Sequence, residues 1–198
     1  MTAMIPYAAY GTDDLAGAYQ KCLRMVEPGD WLCNLDHDVM VCTKDWHRRI
    51  EGLLPEARKS GFGLITCSIS RTANPKQYVP EGWRDVARSS DDMDDHFAIG
   101  RALVVDTPVI EEVDSGMPCF LVISRDAAKD AGLLDGEWES AAFYGSGAFL
   151  KSRIKAAGYK FGIVRSVYAY HRYNVEKDRG GMTHDAYYNS LSKEMLQQ

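Results

Sequence analysis

The first third of the chain alternates helical and strand periodicity, and that alternation limits the folds open to it. Leu15, Tyr19, Cys22, Leu23 and Val26 recur at helical spacing behind Thr12, which is placed to cap a first turn carrying Asp13 and Asp14, and Pro28-Gly29 ends the pattern. Trp31 to Leu35 then reads as a short buried strand. Trp46, Ile50, Leu53 and Leu54 form a second amphipathic pattern that Pro55 disturbs, and Gly63 to Ile69 reads as another strand. Helix, strand, helix, strand is the order of an α/β protein with helices packed on a largely parallel sheet. A chain of 198 residues holds one such domain comfortably, so a single domain is expected over residues 1–198.

The remainder fits the same architecture. Residues 70–95 are polar, carry prolines and end in the acidic run Asp91-Asp92-Met93-Asp94-Asp95, which predicts a long functional loop. A helix from Asp95 to Arg101, a strand over Cys119–Ser124 and a short helix over Arg125–Gly132 follow. A helix from Gly147 to Ala157 is stopped by Gly158, and Tyr159 to His171 reads as one or two strands. After Arg172 comes Gly180-Gly181, then a polar helix over 183–196.

Composition narrows function mainly by exclusion. Apolar and charged fractions of 45% and 26% are ordinary for a globular protein, which removes disordered and fibrous readings. A net charge of −5 gives no diffuse attraction for nucleic acid or anionic lipid. No run of eighteen apolar residues suggests a membrane segment, and the N-terminus lacks a basic start and a long apolar stretch, so a cytoplasmic location is expected. The five cysteines (Cys22, Cys33, Cys42, Cys67 and Cys119) form no C-x-x-C pair and read as reduced core residues.

Chemistry concentrates where the first strand ends, at Asp36-His37-Asp38. Two carboxylates one residue apart at a strand's C-terminal end point to the same side and can share one hard cation. In an open α/β sheet that edge is also where ligands collect. His37 would point to the opposite face and is read as structural. His171 ends the last strand, among Tyr168, Tyr170 and Tyr173, and is either a third ligand or a packed edge histidine.

The arrangement resembles a known family. The run Asp14-Leu15-Ala16-Gly17-Ala18-Tyr19, followed by Asp30-Trp31 and Leu35-Asp36-His37-Asp38, is similar to the Asn-Leu-Gly-x-Ala-Tyr helix and Leu-Asp-x-Asp strand end of family 2 glycosyltransferases. Phe120 to Arg125, Gly132 to Gly136, Arg153 to Lys160 and Val167 to His171 resemble that family's acceptor half in the same order. The likeness is closest to short, phage-type members and spans residues 5–173. It implies a GT-A fold: a Rossmann-like mixed, mostly parallel sheet with helices on both faces and an abbreviated N-terminal nucleotide-binding half. Residues 1–43 would form the donor and metal part, 44–173 the acceptor part and 174–198 a tail helix. It further implies a nucleotide-sugar donor, first a UDP-sugar, a glycan or other hydroxyl acceptor, and Mn2+ or Mg2+ held by Asp36, Asp38 and His171 through this DXD motif. Such an ion neutralises a leaving diphosphate.

Two departures from the family pattern matter. Only Met1 to Gly11 precede the first helix, so base recognition is expected to be reduced or supplied differently; Pro6, Tyr7 and Tyr10 are placed to line or stack on a base, with Asp13 or Asp14 for its polar groups. The family's acidic acceptor base precedes the Arg153 helix, and here that place falls on Ser146-Gly147, with Phe149 at the next acidic position. Three readings stay open. Glu139, and after it Glu137, delivers a carboxylate from a shifted loop; Asp94 or Asp95 closes over the site; or transfer is lost and the protein binds or slowly hydrolyses a donor. Arg71, Lys76, Arg84, Arg88 and Arg101 lie around the long loop and could clamp a diphosphate, although Arg101 is also placed to pair with the acidic run. A nucleotidyltransferase also pairs carboxylates with a metal, but no glycine-rich, lysine-containing phosphate loop stands near the N-terminus.

Overall fold

Strand alternation divides the apolar residues between the two faces of one sheet. Trp31 and Cys33 of β2 (Trp31–Leu35) face one side, where they join Ile50, Leu54 and Ala57 of α2 (Trp46–Lys59) and Ile65, Cys67 and Ile69 of β4 (Phe62–Ile69). Leu32 and Leu64 face the other side. There they pack with Leu23 of α1 (Leu15–Met25), Ala127 and Ala128 of α5 (Arg125–Asp130), and Leu150 and Ile154 of α6 (Ser146–Ala156). Each fully buried aliphatic side chain of this kind contributes ~1.5–3 kcal/mol. The computed structural model describes residues 1–4, 15–36, 38–72, 74–114, 116, 119–135 and 146–172.

The remaining elements complete the sheet. They are β1 (Thr2–Met4), β3 (Val39–Val41), β5 (Glu111–Glu112), β6 (Phe120–Ser124) and β7 (Lys160–His171). Strand order is β1-β2-β6-β4-β7-β3, with β5 also pairing to β7. β1–β2 and β4–β7 are parallel, and β6 lies antiparallel between β2 and β4. β3 and β5 are antiparallel to β7. Four strands, β1, β2, β4 and β7, therefore share one direction, so that the C-terminal ends of β2, β4 and β7 lie along one edge. The fold is a mixed α/β sheet with helices on both faces.

Several details correct the sequence reading. Residues 70–95 are not one long loop: a 3-10 turn (Pro75–Gln77) and α3 (Glu81–Ser89) occupy its middle, and α4 (Met93–Ala102) takes up the end of the acidic run. The sequence expects α4 over Asp95–Arg101 but not α3, whose residues are mostly charged or polar. Both helices are held by a separate small core in which Val79, Ala87 and Ile99 meet Cys42, Tyr168 and Tyr170. Asp92 caps α4, its side chain accepting from the Asp94 N–H at 2.9 Å. Pro55, expected to disturb this helix, lies inside α2, which runs on to Lys59. The ~3 kcal/mol cost of an interior proline is offset by the buried Ile50, Leu54 and Ala57. Residues 160–171 form one strand, and Gly158, at φ 87°, closes α6 as expected. Four of the five free cysteines are buried and Cys22 is half-buried. Among the described residues no helix is long and apolar enough to cross a membrane.

Candidate metal centre

Backbone pairing at the C-terminal edge brings together residues far apart in sequence. The Asp36 N–H donates to the Cys119 carbonyl at 3.0 Å, which anchors the end of β2 against the entry to β6. The Val39 N–H donates to the Asp36 carbonyl at 3.1 Å, turning the chain into β3. β3 then pairs with β7 so that Val39 faces His171, and the Arg172 N–H donates to the Asp38 carbonyl at 2.8 Å. The hairpin-like geometry thus sets Asp38 beside His171 across 133 residues of chain, with Asp36 one turn away.

Asp36, Asp38 and His171 each offer one ligand atom, and these atoms lie within 4.8 Å of one another. Two ligands held ~2.1–2.5 Å from one ion stand ~3–5 Å apart, so the spacing suits a shared cation. Two carboxylates and an imidazole are a donor set for a hard or borderline divalent metal. The His171 Nε2 lies 3.3 Å from Asp38 Oδ2. Its Nδ1 lies 3.2 Å from the Arg71 carbonyl, which can only accept, so Nδ1 carries the proton. Burial alone would lower the pKa of this imidazole, but in its charged form Nε2–H also donates to Asp38, and that hydrogen bond, the charge of Asp38, the Arg71 carbonyl and the charge of Asp36 outweigh burial, so the net shift is upward.

Neighbouring groups hold the carboxylates in turn. The Tyr19 hydroxyl, carried by α1, donates to Asp36 Oδ1 at 2.8 Å. Burial first, then the charge and hydrogen bond of Asp36, push the Tyr19 phenol well above its ordinary value. The Cys119 thiol is likewise raised by burial and then by both aspartates, so it stays a neutral neighbour. By sequence alone Tyr19 belongs to the apolar face of the first helix and Cys119 reads as a reduced core residue. The only available signal for Tyr19 was its place at the end of the family-like helix motif.

Other expected site residues fall elsewhere. Pro6, Tyr7, Tyr10, Asp13, Asp14, His37, Glu137 and Glu139 lie outside the described residues. Asp94 and Asp95 are in the first turn of α4, where Asp95 Oδ2 accepts from Ser90 Oγ at 2.6 Å, rather than on a mobile loop. Of the residues expected to clamp a diphosphate, Arg71 has its guanidinium bound to Asp91 at 2.6 Å. Arg84 and Arg88 lie over the Tyr78 ring at 5.3 and 4.5 Å. Among the described residues Arg101 forms no ion pair with the acidic run and stays exposed. A cavity of about 640 Å3, lined in part by Lys76, Lys151, Lys155 and Phe161, sits near the start of β7, away from the cluster at its end. Lys160–Glu112 and Arg165–Glu111 ion pairs border it.

No protein-family profile matches the chain, and no curated protein matches it. Among solved structures it is similar to the crystal structure of A197 from STIV, at 15% identity and a TM-score of 0.43, over 80% of this chain and 67% of that chain.

Proposed function

We propose that the protein is a metal-dependent glycosyltransferase that moves a sugar, with inversion, from a nucleotide-sugar donor, first a UDP-sugar, to a hydroxyl acceptor. The observation that carries this reading is the convergence of Asp36, Asp38 and His171 at the C-terminal edge of the sheet. The order of family-like blocks in the sequence supports the same reading. A divalent cation such as Mn2+ or Mg2+ held there would supply Lewis acidity against the charge of a leaving nucleoside diphosphate. The protein's own part is positional: Tyr19 fixes Asp36, the β3–β7 pairing fixes Asp38, and residues 70–71 fix His171.

One observation favours a second reading. The position at which the family places its acidic base is occupied by Ser146-Gly147, at the start of α6, so a nucleotide-sugar-binding protein without transfer activity fits as well. Calorimetric titration with UDP, GDP and their sugar conjugates, first with Mn2+ and then with EDTA, tests both. The expected result is metal-dependent binding lost in Asp36→Ala and Asp38→Ala; equal affinity in chelator would sink the metal reading. Donor hydrolysis or transfer separates the enzyme from the silent binder, and loss of turnover in Glu139→Gln would place the base on the shifted loop.

A further inference from the structure

We infer that Arg71 is a positioning residue for His171, an inference that rests on the metal reading above. The two ends of Arg71 do different work. Its carbonyl lies 3.2 Å from His171 Nδ1 and claims that nitrogen's proton, which leaves Nε2 to face Asp38 and Asp36. Immediately before it, Ser70 Oγ accepts the His171 backbone N–H at 3.0 Å. Main chain and ring of His171 are thus both registered against residues 70–71, at the exit of β4. A ring turned over, or protonated on the other nitrogen, would present N–H where a ligand lone pair is needed.

Ser70 is still tied to β7, its N–H donating to the Ala169 carbonyl at 3.1 Å, whereas Arg71 lies past the last paired residue of β4, and its guanidinium is suited to hold it there. Only 10% exposed, it donates from Nε to the Arg88 carbonyl at 3.2 Å, and from one terminal nitrogen to the Ser90 carbonyl at 2.9 Å and Asp91 Oδ1 at 2.6 Å. It also lies 5.4 Å from the centre of the Tyr170 ring, whose hydroxyl donates to the same Asp91 oxygen at 3.0 Å. These partners belong to the end of α3 and the α3–α4 connection. A rigid planar fork can satisfy acceptors arriving from different directions, and a lysine ammonium cannot copy that geometry. The guanidinium therefore ties the two-helix layer to the carbonyl that orients His171. Groups that orient a metal-ligating histidine in this way typically change metal affinity 10–100-fold when removed.

The test compares wild-type protein with Arg71→Met, Arg71→Lys and Asp91→Asn by Mn2+ titration, and by the NMR signal of the His171 Nδ1–H in metal-free protein. Arg71→Met is expected to weaken Mn2+ binding by ~10–100-fold and to lose the Nδ1–H signal to solvent exchange, with Arg71→Lys recovering part of both. Asp91→Asn alters an acceptor that is 78% exposed and leaves the two carbonyl contacts, so a smaller change in the same direction is expected. Wild-type affinity together with a wild-type Nδ1–H signal in folded Arg71→Met overturns the inference. Should Arg71→Met not fold, Asp91→Asn decides alone: faster exchange and weaker binding support it, and unchanged values overturn it. Wild-type protein that binds no Mn2+ overturns the metal reading instead, and the metal-free Nδ1–H signal still decides whether Arg71 holds the ring.

Discussion

At the scale of single residues, Tyr19 shows how one side chain serves both core and site. It is 1% exposed, yet its hydroxyl ends on Asp36. Because burial and the nearby carboxylate keep the phenol protonated, it acts as a fixed donor across the accessible pH range. Tyr19→Phe keeps the packing and removes the donor to Asp36 Oδ1. A hydrogen bond to a charged group contributes ~1.5–3 kcal/mol when buried, and Asp36 is only half-buried, so the lower end of that range is expected in urea denaturation. Mn2+ affinity should fall in the same variant, since Asp36 loses the hydrogen bond from Tyr19 that helps orient it. A midpoint and affinity equal to wild type would show that the Tyr19 hydroxyl is incidental.

Among the elements, α4 depends on how closely it approaches the backbone just after β3. A Cβ on Gly100 would come within 2.2 Å of the Cys42 carbonyl oxygen and 2.6 Å of its carbon, both backbone atoms that cannot swing aside. Gly100→Ala must therefore push α4 off the sheet edge, with an expected loss of ~2–3 kcal/mol or more. Gly52 offers the contrast: it is exposed in the middle of α2 with nothing within 4 Å of an added Cβ. Gly52→Ala should stabilise by ~0.5–1 kcal/mol, because the glycine there contributes only chain entropy to be lost on folding. Thermal melts of the two variants should move in opposite directions. Loss of α4 docking would also disturb the α3–α4 connection, which joins this element to His171 through Arg71.

For the molecule as a whole, stability should carry a mark of His96, which α4 buries against β7. Its Nε2 lies 3.0 Å from the Ser90 carbonyl and must donate, so Nδ1, 2.7 Å from the Tyr168 hydroxyl, accepts. Burial first, and Arg71 after it, lower the His96 pKa against the opposing pull of the Ser90 carbonyl, Asp95 and Asp91; the Tyr170 ring, 4.1 Å away, adds no charge. A histidine whose folded value is depressed contributes stability that is complete above the ordinary value near ~6.5 and is lost as pH falls through the folded value. Denaturation midpoints should thus decline below about pH 6.5 more steeply in wild type than in His96→Gln, which keeps polar groups but does not titrate. Parallel curves would show that His96 is not a source of acid sensitivity.

The sequence by itself determined the local elements with strong periodicity and the carboxylate pair. Trp31–Leu35 and the end of α6 at Gly158 are decided by neighbours in the chain, through buried apolar runs and a glycine in the left-handed region. Asp36 and Asp38 are likewise legible, because a strand end followed by a turn is a local feature. What sequence could not settle is non-local. The helix over Glu81–Ser89, unlike the Asp95–Arg101 part of α4, is a charged stretch that joins a small core with Tyr168, Tyr170 and Cys42, none of them near in sequence. The antiparallel insertion of β6 between β2 and β4 is a choice among pairings of equally apolar strands. Whether His171 is an edge histidine or a partner of the aspartates depends on a β3–β7 register across 132 residues, and on an arginine carbonyl 100 residues away that fixes which nitrogen faces them. Only the tertiary structure decides such things, because hydrogen-bond register and ring orientation are properties of neighbours in space.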